Sequence, residues 1–235
     1  MNAPILITGG SQRLGLAMAE DLLAQQKPVI ITYRRKKPSI DRLIQQGAQV
    51  IQADFAESEG ITSFIEQLKS TTDTLRAIIH NASDWDKESE DTNPDDLFKK
   101  MMQVHANAPY QINLACADML VNPDGFADII HMTDYVQEKG SSKHIAYSAS
   151  KAALHNLTLS FSALLAPKVK VNSIAPALLM FNQGDDEIYK QKALKKSLLE
   201  NCPGPQEAVK AMNYILSSDY LTGQCLHLNG GRHLK

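Results

Sequence analysis

The sequence predicts an α/β chain, a doubly wound parallel sheet of about seven strands with helices on both faces. Three observations predict it. Short β-rich runs alternate with segments of helical spacing from the first residues onward. Those runs are continuously apolar rather than alternating, as strands buried on both faces are. The 235 residues contain no repeat, low-complexity tract or Pro/Gly/Ser linker, so one domain, 1–235, is expected, long enough to bury a core.

The elements follow in order. Ile5–Thr8 reads as a first strand that runs into glycines, and Leu14–Gln26 as the helix behind it. Val29–Tyr33 is a second strand, Ile40–Gln46 a helix stopped by Gly47, and Val50–Ala53 a third strand. Ile61–Ser70 is helical and Leu75–His80 a fourth strand. Asp95–Leu120 reads as one long helix, Asp128–Met132 as a fifth strand, His144–Leu165 as a helix and Val169–Ile174 as a sixth strand. Polar helical stretches cover Glu187–Glu200 and Pro205–Ser217, and Gln224–Leu228 closes the pattern as a last strand. In such sheets ligands bind beyond the carboxyl ends of the strands, so the residues that follow the strands carry the functional argument.

Composition narrows the classes. A net charge of −2, from 24 basic and 26 acidic residues, gives no reason to expect nucleic acid or an anionic membrane as partner. Three scattered cysteines, Cys116, Cys202 and Cys225, form neither a disulfide framework nor a zinc site, and no bound metal is expected. No stretch approaches the roughly 20 apolar residues of a membrane helix. The N-terminus is too soon glycine-rich for a signal peptide. A reducing, cytoplasmic location is therefore expected.

The first strand ends in Thr8-Gly9-Gly10-Ser11-Gln12-Arg13-Leu14-Gly15. Glycine lets backbone N–H groups approach a phosphate, and the helix N-terminus adds a favourable field. A tight turn without ligand is the competing reading. Its place at the first strand of an alternating chain favours a Rossmann-like cofactor site. The second strand ends Tyr33-Arg34-Arg35-Lys36-Lys37, with no acid before Asp41. An acid at that point would bond the ribose of NADH, whereas guanidinium grips a 2′-phosphate. NADPH is therefore expected, held by Arg34 with Arg35 as helper; a merely solvated basic turn is the alternative.

Tyr147-Ser148-Ala149-Ser150-Lys151 places a phenol and an ammonium one helical turn apart. Hydride delivery to C=O or C=N requires a proton at the heteroatom. A lysine that lowers the tyrosine pKa, ordinarily near ~10, toward the working range would make Tyr147 a usable acid.

Together these motifs resemble the short-chain dehydrogenases. The turn is similar to T-G-x-x-x-G-x-G with Arg13 in place of the middle glycine, a variant found in pteridine reductases of that family. His80-Asn81-Ala82-Ser83 resembles N-N-A-G, and Val171-Asn172-Ser173-Ile174-Ala175-Pro176 resembles the start of V-N-x-x-x-P-G. Thr222-Gly223 and Asn229-Gly230-Gly231 resemble the family's closing motif, so the likeness spans essentially the whole chain. It implies catalytic roles for Tyr147, Lys151 and Asn107. It also implies a role for Asp134, which stands thirteen positions before Tyr147, where ordinary members have serine. The competing reading of Asp134 is a turn cap. It implies cofactor contacts from Gly9, Ser11, Arg13, Leu14, Gly15, Arg34, Arg35, Asp54, Phe55, Asn81, Ala82, Ser83, Tyr147, Lys151 and Pro176. It further implies a pterin sandwiched by Arg13, Ser83, Trp85, Asp134 and Tyr147. Leu179–Ser197, with a flexible point at Gly184-Asp185-Asp186, is expected to cover the substrate. The function implied is NADPH-dependent reduction of a dihydropterin, as in the bacterial dihydromonapterin reductases, some of which also reduce dihydrofolate, by a homotetramer. A general carbonyl or quinone reductase and a non-catalytic NADPH sensor are the rivals. Arg13 and Asp134 argue against the first, and the presence of Tyr147, Lys151 and Asn107 against the second.

Overall fold

The computed structural model describes residues 3–235. Seven strands form one parallel sheet in the order β3-β2-β1-β4-β5-β6-β7. They are β1 (Ile5–Thr8), β2 (Val29–Tyr33), β3 (Gln49–Gln52), β4 (Ala77–His80), β5 (Ala127–Met132), β6 (Val169–Pro176) and β7 (Cys225–Leu228). The order reverses between β1 and β4, and a crevice opens at such a reversal. Leu75, expected in the fourth strand, makes only an isolated bridge to Leu120.

Alternation along each strand divides the core into two layers. Ile5, Ile7 and Ile31 face α1 (Arg13–Ala24), α2 (Pro38–Gln45) and α9 (Gln206–Ser217), meeting Met18, Leu22, Leu43, Met212 and Ile215. Leu6, Ile30 and Ile78 face α3 (Ser58–Thr71), α5 (Ala108–Cys116) and α7 (Ile145–Leu165), meeting Phe64, Leu68, Ile112 and Phe161. The buried positions of α1, Gly15, Met18, Ala19 and Leu22, follow the i, i+3, i+4, i+7 spacing of one helical face.

The long helix expected over 95–120 is interrupted. It starts as α4 (Pro94–Met102), with Pro94 in the first turn and the Asn93 side chain accepting Asp95 N–H at 2.9 Å. It then widens into a π-turn over Gln103–Asn107 before α5. The cause is Pro109. It has no N–H for the His105 carbonyl and its ring crowds that carbonyl. Instead Ala108 N–H reaches five residues back to the Gln103 carbonyl. The helix expected over 187–200 is α8 (Glu187–Leu194), capped by Asp186 on Tyr189 N–H and ending six residues early in turns. A short helix the sequence reading omitted, α6 (Val136–Lys139), follows β5. No helix among the described residues is long and apolar enough to cross a membrane.

Candidate active site

The crevice at the strand reversal holds a cavity of about 520 Å³. Gly9, Ser11, Gln12, Arg13 and Leu14 form one wall. Gly9 has a φ of +69°, and its N–H is held by Thr32 Oγ1 at 3.0 Å. Gly15 lies behind this wall, where a side chain would collide with the Gly9 carbonyl and the Asn81 amide. Asn81 ties the two strands at the reversal, its amide donating to the carbonyls of Thr8 at 3.1 Å and Gly9 at 2.9 Å. Asp54, Phe55, Ala82, Ser83 and Pro176 complete the lining.

One end of the cavity is basic, with Arg34, Arg35 and Lys37. Arg34 bonds Asp84 at 2.9 Å, and Lys100 approaches the same carboxylate at 3.2 Å. Burial pushes the Asp84 pKa up, but these two cations outweigh it and hold the carboxyl below its usual range. Arg34 is therefore already paired. Arg35 and Lys37, whose ammonium bonds the Gln12 side chain, line the same end.

The other end carries Asp134, Tyr147 and Lys151. Asp134 follows β5, and its two oxygens do different things. Oδ1 accepts Val136 N–H at 3.0 Å and starts α6, while Oδ2 accepts the Tyr147 hydroxyl at 3.0 Å. The turn-cap role and the position beside Tyr147 thus coexist. Lys151 is buried one turn along α7, donating to the Met132 carbonyl at 2.9 Å. Burial lowers its pKa to about 8 against the pull of Asp134.

The expected lowering of the Tyr147 pKa is not what this pocket does. Burial first, then the adjacent Asp134 carboxylate, raise it well above its ordinary value. Burial likewise raises Asp134. The phenol stays protonated and donates to the carboxylate.

The glycine-rich crevice at the reversal, with Tyr147 and Lys151 in its lining, agrees with the comparisons. The family model described as enoyl-(acyl carrier protein) reductase matches residues 10–233. The chain belongs to the short-chain dehydrogenase/reductase family. It is 52% identical over 234 residues to a dihydromonapterin reductase of Escherichia coli (strain SMS-3-5 / SECEC), covering 99% of this chain and 97% of that one. It is 53% identical, with the same coverage, to a dihydromonapterin reductase of Klebsiella pneumoniae subsp. pneumoniae. Among solved structures, FolM alternative dihydrofolate reductase 1 from Brucella canis, complexed with NADP, superposes with a TM-score of 0.88 at 27% identity. That match covers 100% of this chain and 95% of the other.

Three residues that the family likeness put in the site sit differently. Trp85 does not line the cavity. It is 61% exposed and packs on His144 at 4.7 Å between ring centroids. Its segment is drawn outward because the Glu88 carboxylate accepts Ile145 N–H at 3.0 Å and Ala146 N–H at 2.8 Å, capping α7 from a distance. Asn107 is also outside the cavity lining, its amide engaged with Gln103 at 2.8 Å and Gln111 at 3.1 Å. Within the same π-turn it is His105 that packs edge-to-face on Tyr147, with 5.4 Å between ring centroids. Arg13 does line the cavity, at a left-handed φ of +52°. Its guanidinium, however, is turned to the segment after β6, bonding the Met180 and Phe181 carbonyls at 3.3 Å and Asn182 Oδ1 at 2.9 Å. His105 was missed in the sequence because a histidine in a helix carries no spacing signal of its own.

Proposed function

We propose that this protein is an NADPH-dependent reductase that takes a 7,8-dihydropterin to its tetrahydro form, with dihydromonapterin as principal substrate and dihydrofolate as a second. The observation that carries the reading is the Asp134–Tyr147 pair. A half-buried carboxyl bonded to a half-buried phenol at 3.0 Å is a proton relay suited to a ring nitrogen. The names borne by relatives at 52% and 53% identity over the whole chain support it.

The donor set fits the cofactor. Gly9, Ser11 and Leu14 supply the turn for a pyrophosphate, Arg35 and Lys37 with Arg34 the cations for a 2′-phosphate, and Asp54, Phe55, Asn81 and Ala82 the adenosine wall. Bound NADPH supplies the hydride. The chain's own residues do the rest. Lys151, anchored on the Met132 carbonyl, holds a positive charge beside the ribose position and beneath Tyr147, 5.6 Å from its ring. Tyr147 hands its hydroxyl proton to the substrate nitrogen. Asp134, a carboxylate at rest whose pKa burial raises, takes up a proton from solvent and returns it to the phenol. Because a phenolate beside a carboxylate is costly in a buried site, the two side chains act as one acid.

The working form we propose is a single-domain, cytoplasmic homotetramer. Its contact helices are α5 and α7, which leave Tyr110, Leu114, Leu159 and Leu164 exposed. Light scattering after gel filtration reads that state directly.

The test is NADPH oxidation with 7,8-dihydromonapterin beside dihydrofolate, a simple aldehyde and a quinone. Turnover of the dihydropterin is expected to exceed that of the carbonyl compounds. Tyr147→Phe and Asp134→Asn should each lower kcat by about 10²-fold or more, the scale of a lost general acid. Turnover confined to aldehyde or quinone, or untouched by both substitutions, sinks the reading.

A further inference from the structure

His105 sits in a closed chain of hydrogen bonds whose proton positions are fixed by its partners. Asp84 N–H donates to His105 Nε2 at 3.2 Å, and a backbone N–H has no other role to play. Nε2 is therefore an acceptor and the ring proton lies on Nδ1. Nδ1–H then donates to Ser150 Oγ at 2.8 Å, and the Ser150 hydroxyl donates in turn to the Tyr147 backbone carbonyl at 2.7 Å. Ser83 Oγ lies 2.8 Å from the same Nε2. Were the Ser83 proton turned instead to the Asp84 carbonyl, 3.2 Å away, two lone pairs would face each other across the shorter distance. Ser83 must donate to His105.

That assignment has a chemical consequence at the cavity. A serine hydroxyl has one proton and two lone pairs. With its proton committed to a buried histidine, Ser83 offers the cavity lone pairs alone. From this geometry we propose that His105 is a specificity-determining positioning residue: it fixes Ser83 as an obligate hydrogen-bond acceptor that selects a substrate carrying an N–H donor. A pterin ring edge supplies such donors. A quinone or simple aldehyde supplies only carbonyl oxygen, which Ser83 repels. The identity of the N–H donor rests on the dihydropterin reading above; the proton arrangement does not. Burial keeps His105 neutral, which preserves the tautomer, and the residue sits within the π-turn that precedes Pro109.

Two isosteres separate this role from simple space filling. Glutamine reaches as far as Nε2 and retains an acceptor for Ser83 and Asp84. Asparagine reaches only as far as Nδ1 and retains the bond to Ser150 alone. His105→Asn is expected to raise the dihydropterin KM about tenfold, the scale of one lost hydrogen bond to a bound ligand, with NADPH affinity nearly unchanged. His105→Gln should recover most of that loss. Nitrogen-15 NMR of the wild-type protein, with the His105 signal assigned by its absence in the Gln variant, should report the Nδ1–H tautomer. An Nε2–H tautomer, or Asn rescuing as well as or better than Gln, overturns the proposal. If the wild-type protein turns over no dihydropterin, the functional reading fails, and the tautomer still decides the proton arrangement by itself.

Discussion

Lys151 shows how one side chain sets opposing demands on stability and chemistry. Its ammonium is fully inside the protein, and burial lowers its pKa to about 8 from an ordinary 10.5, Asp134 resisting the shift. A cation whose folded pKa is depressed costs stability wherever it is forced to stay charged. The cost is complete below about pH 8 and is relieved as pH rises toward 10.5, because in that window the unfolded chain holds the extra proton. Tyr147, whose pKa is raised above its ordinary 10.0, works against folding once the pH passes that value. The Tm is therefore expected to climb between pH 8 and 9.5. Lys151→Met should abolish the climb and raise the neutral-pH Tm by roughly a few degrees, while removing turnover. A variant whose melting curve keeps the wild-type pH profile refutes this account. Tyr147 and Lys151 were legible in the sequence because helix period sets them on one face, and Asp134 through the family likeness. The sign of the Tyr147 shift was not, since it depends on how deeply the pair is buried.

The helix that carries His105 and the segment that carries Trp85 mark where pattern reading gives out. Apolar periodicity located 95–120 as one helix, and it is nearly that. An inserted π-turn changes the facing of later residues without altering the pattern; Asn107 came from the family likeness, and nothing in the spacing singled out His105. Pro109 was the available signal: a proline inside a helical pattern deprives one carbonyl of its partner and must be absorbed somewhere. Trp85 lies in the stretch 81–93, which has no regular structure before Asn93, and its path depends on the Glu88 carboxylate reaching the start of α7. Such a tie, between residues nearly sixty apart in the chain, leaves no local trace. Glu88→Ala is expected to cost about 1 kcal/mol, the usual worth of an N-cap. It should also raise the dihydropterin KM as the segment loosens beside Ser83, with the NADPH KM little changed. Equal melting temperatures and equal KM values for variant and wild type tell against it.

Across the whole molecule, the parallel sheet with helices on both faces followed from the apolar runs that alternate with helical segments. The polar groups threaded through the core were not legible, because a buried histidine reads like any other histidine. His80 and His131, tilted against each other at 5.2 Å across β4 and β5, share Asn113, at 2.7 Å from His80 and 3.2 Å from His131. Burial lowers His80 to about 4 and depresses His131 and His105 as well. The unfolded chain takes up these protons from about pH 6.5 downward while the folded one refuses them. Stability should fall between pH 6.5 and 4 by up to about 1.4 kcal/mol per pH unit for each of these histidines, offset at the acid end by the raised carboxyls Asp128 and Asp134. Urea midpoints measured at half-unit steps check the slope; a flat profile would mean that the histidines are solvated. The guanidinium of Arg13 joins the two ends of this architecture. It belongs to the first turn of the chain yet carries three bonds from a stretch nearly 170 residues later. It works like the beam of a balance. An anion that drew it into the glycine turn would have to compete with those three bonds. One exposed side chain thus weighs the first loop of the fold against a late one.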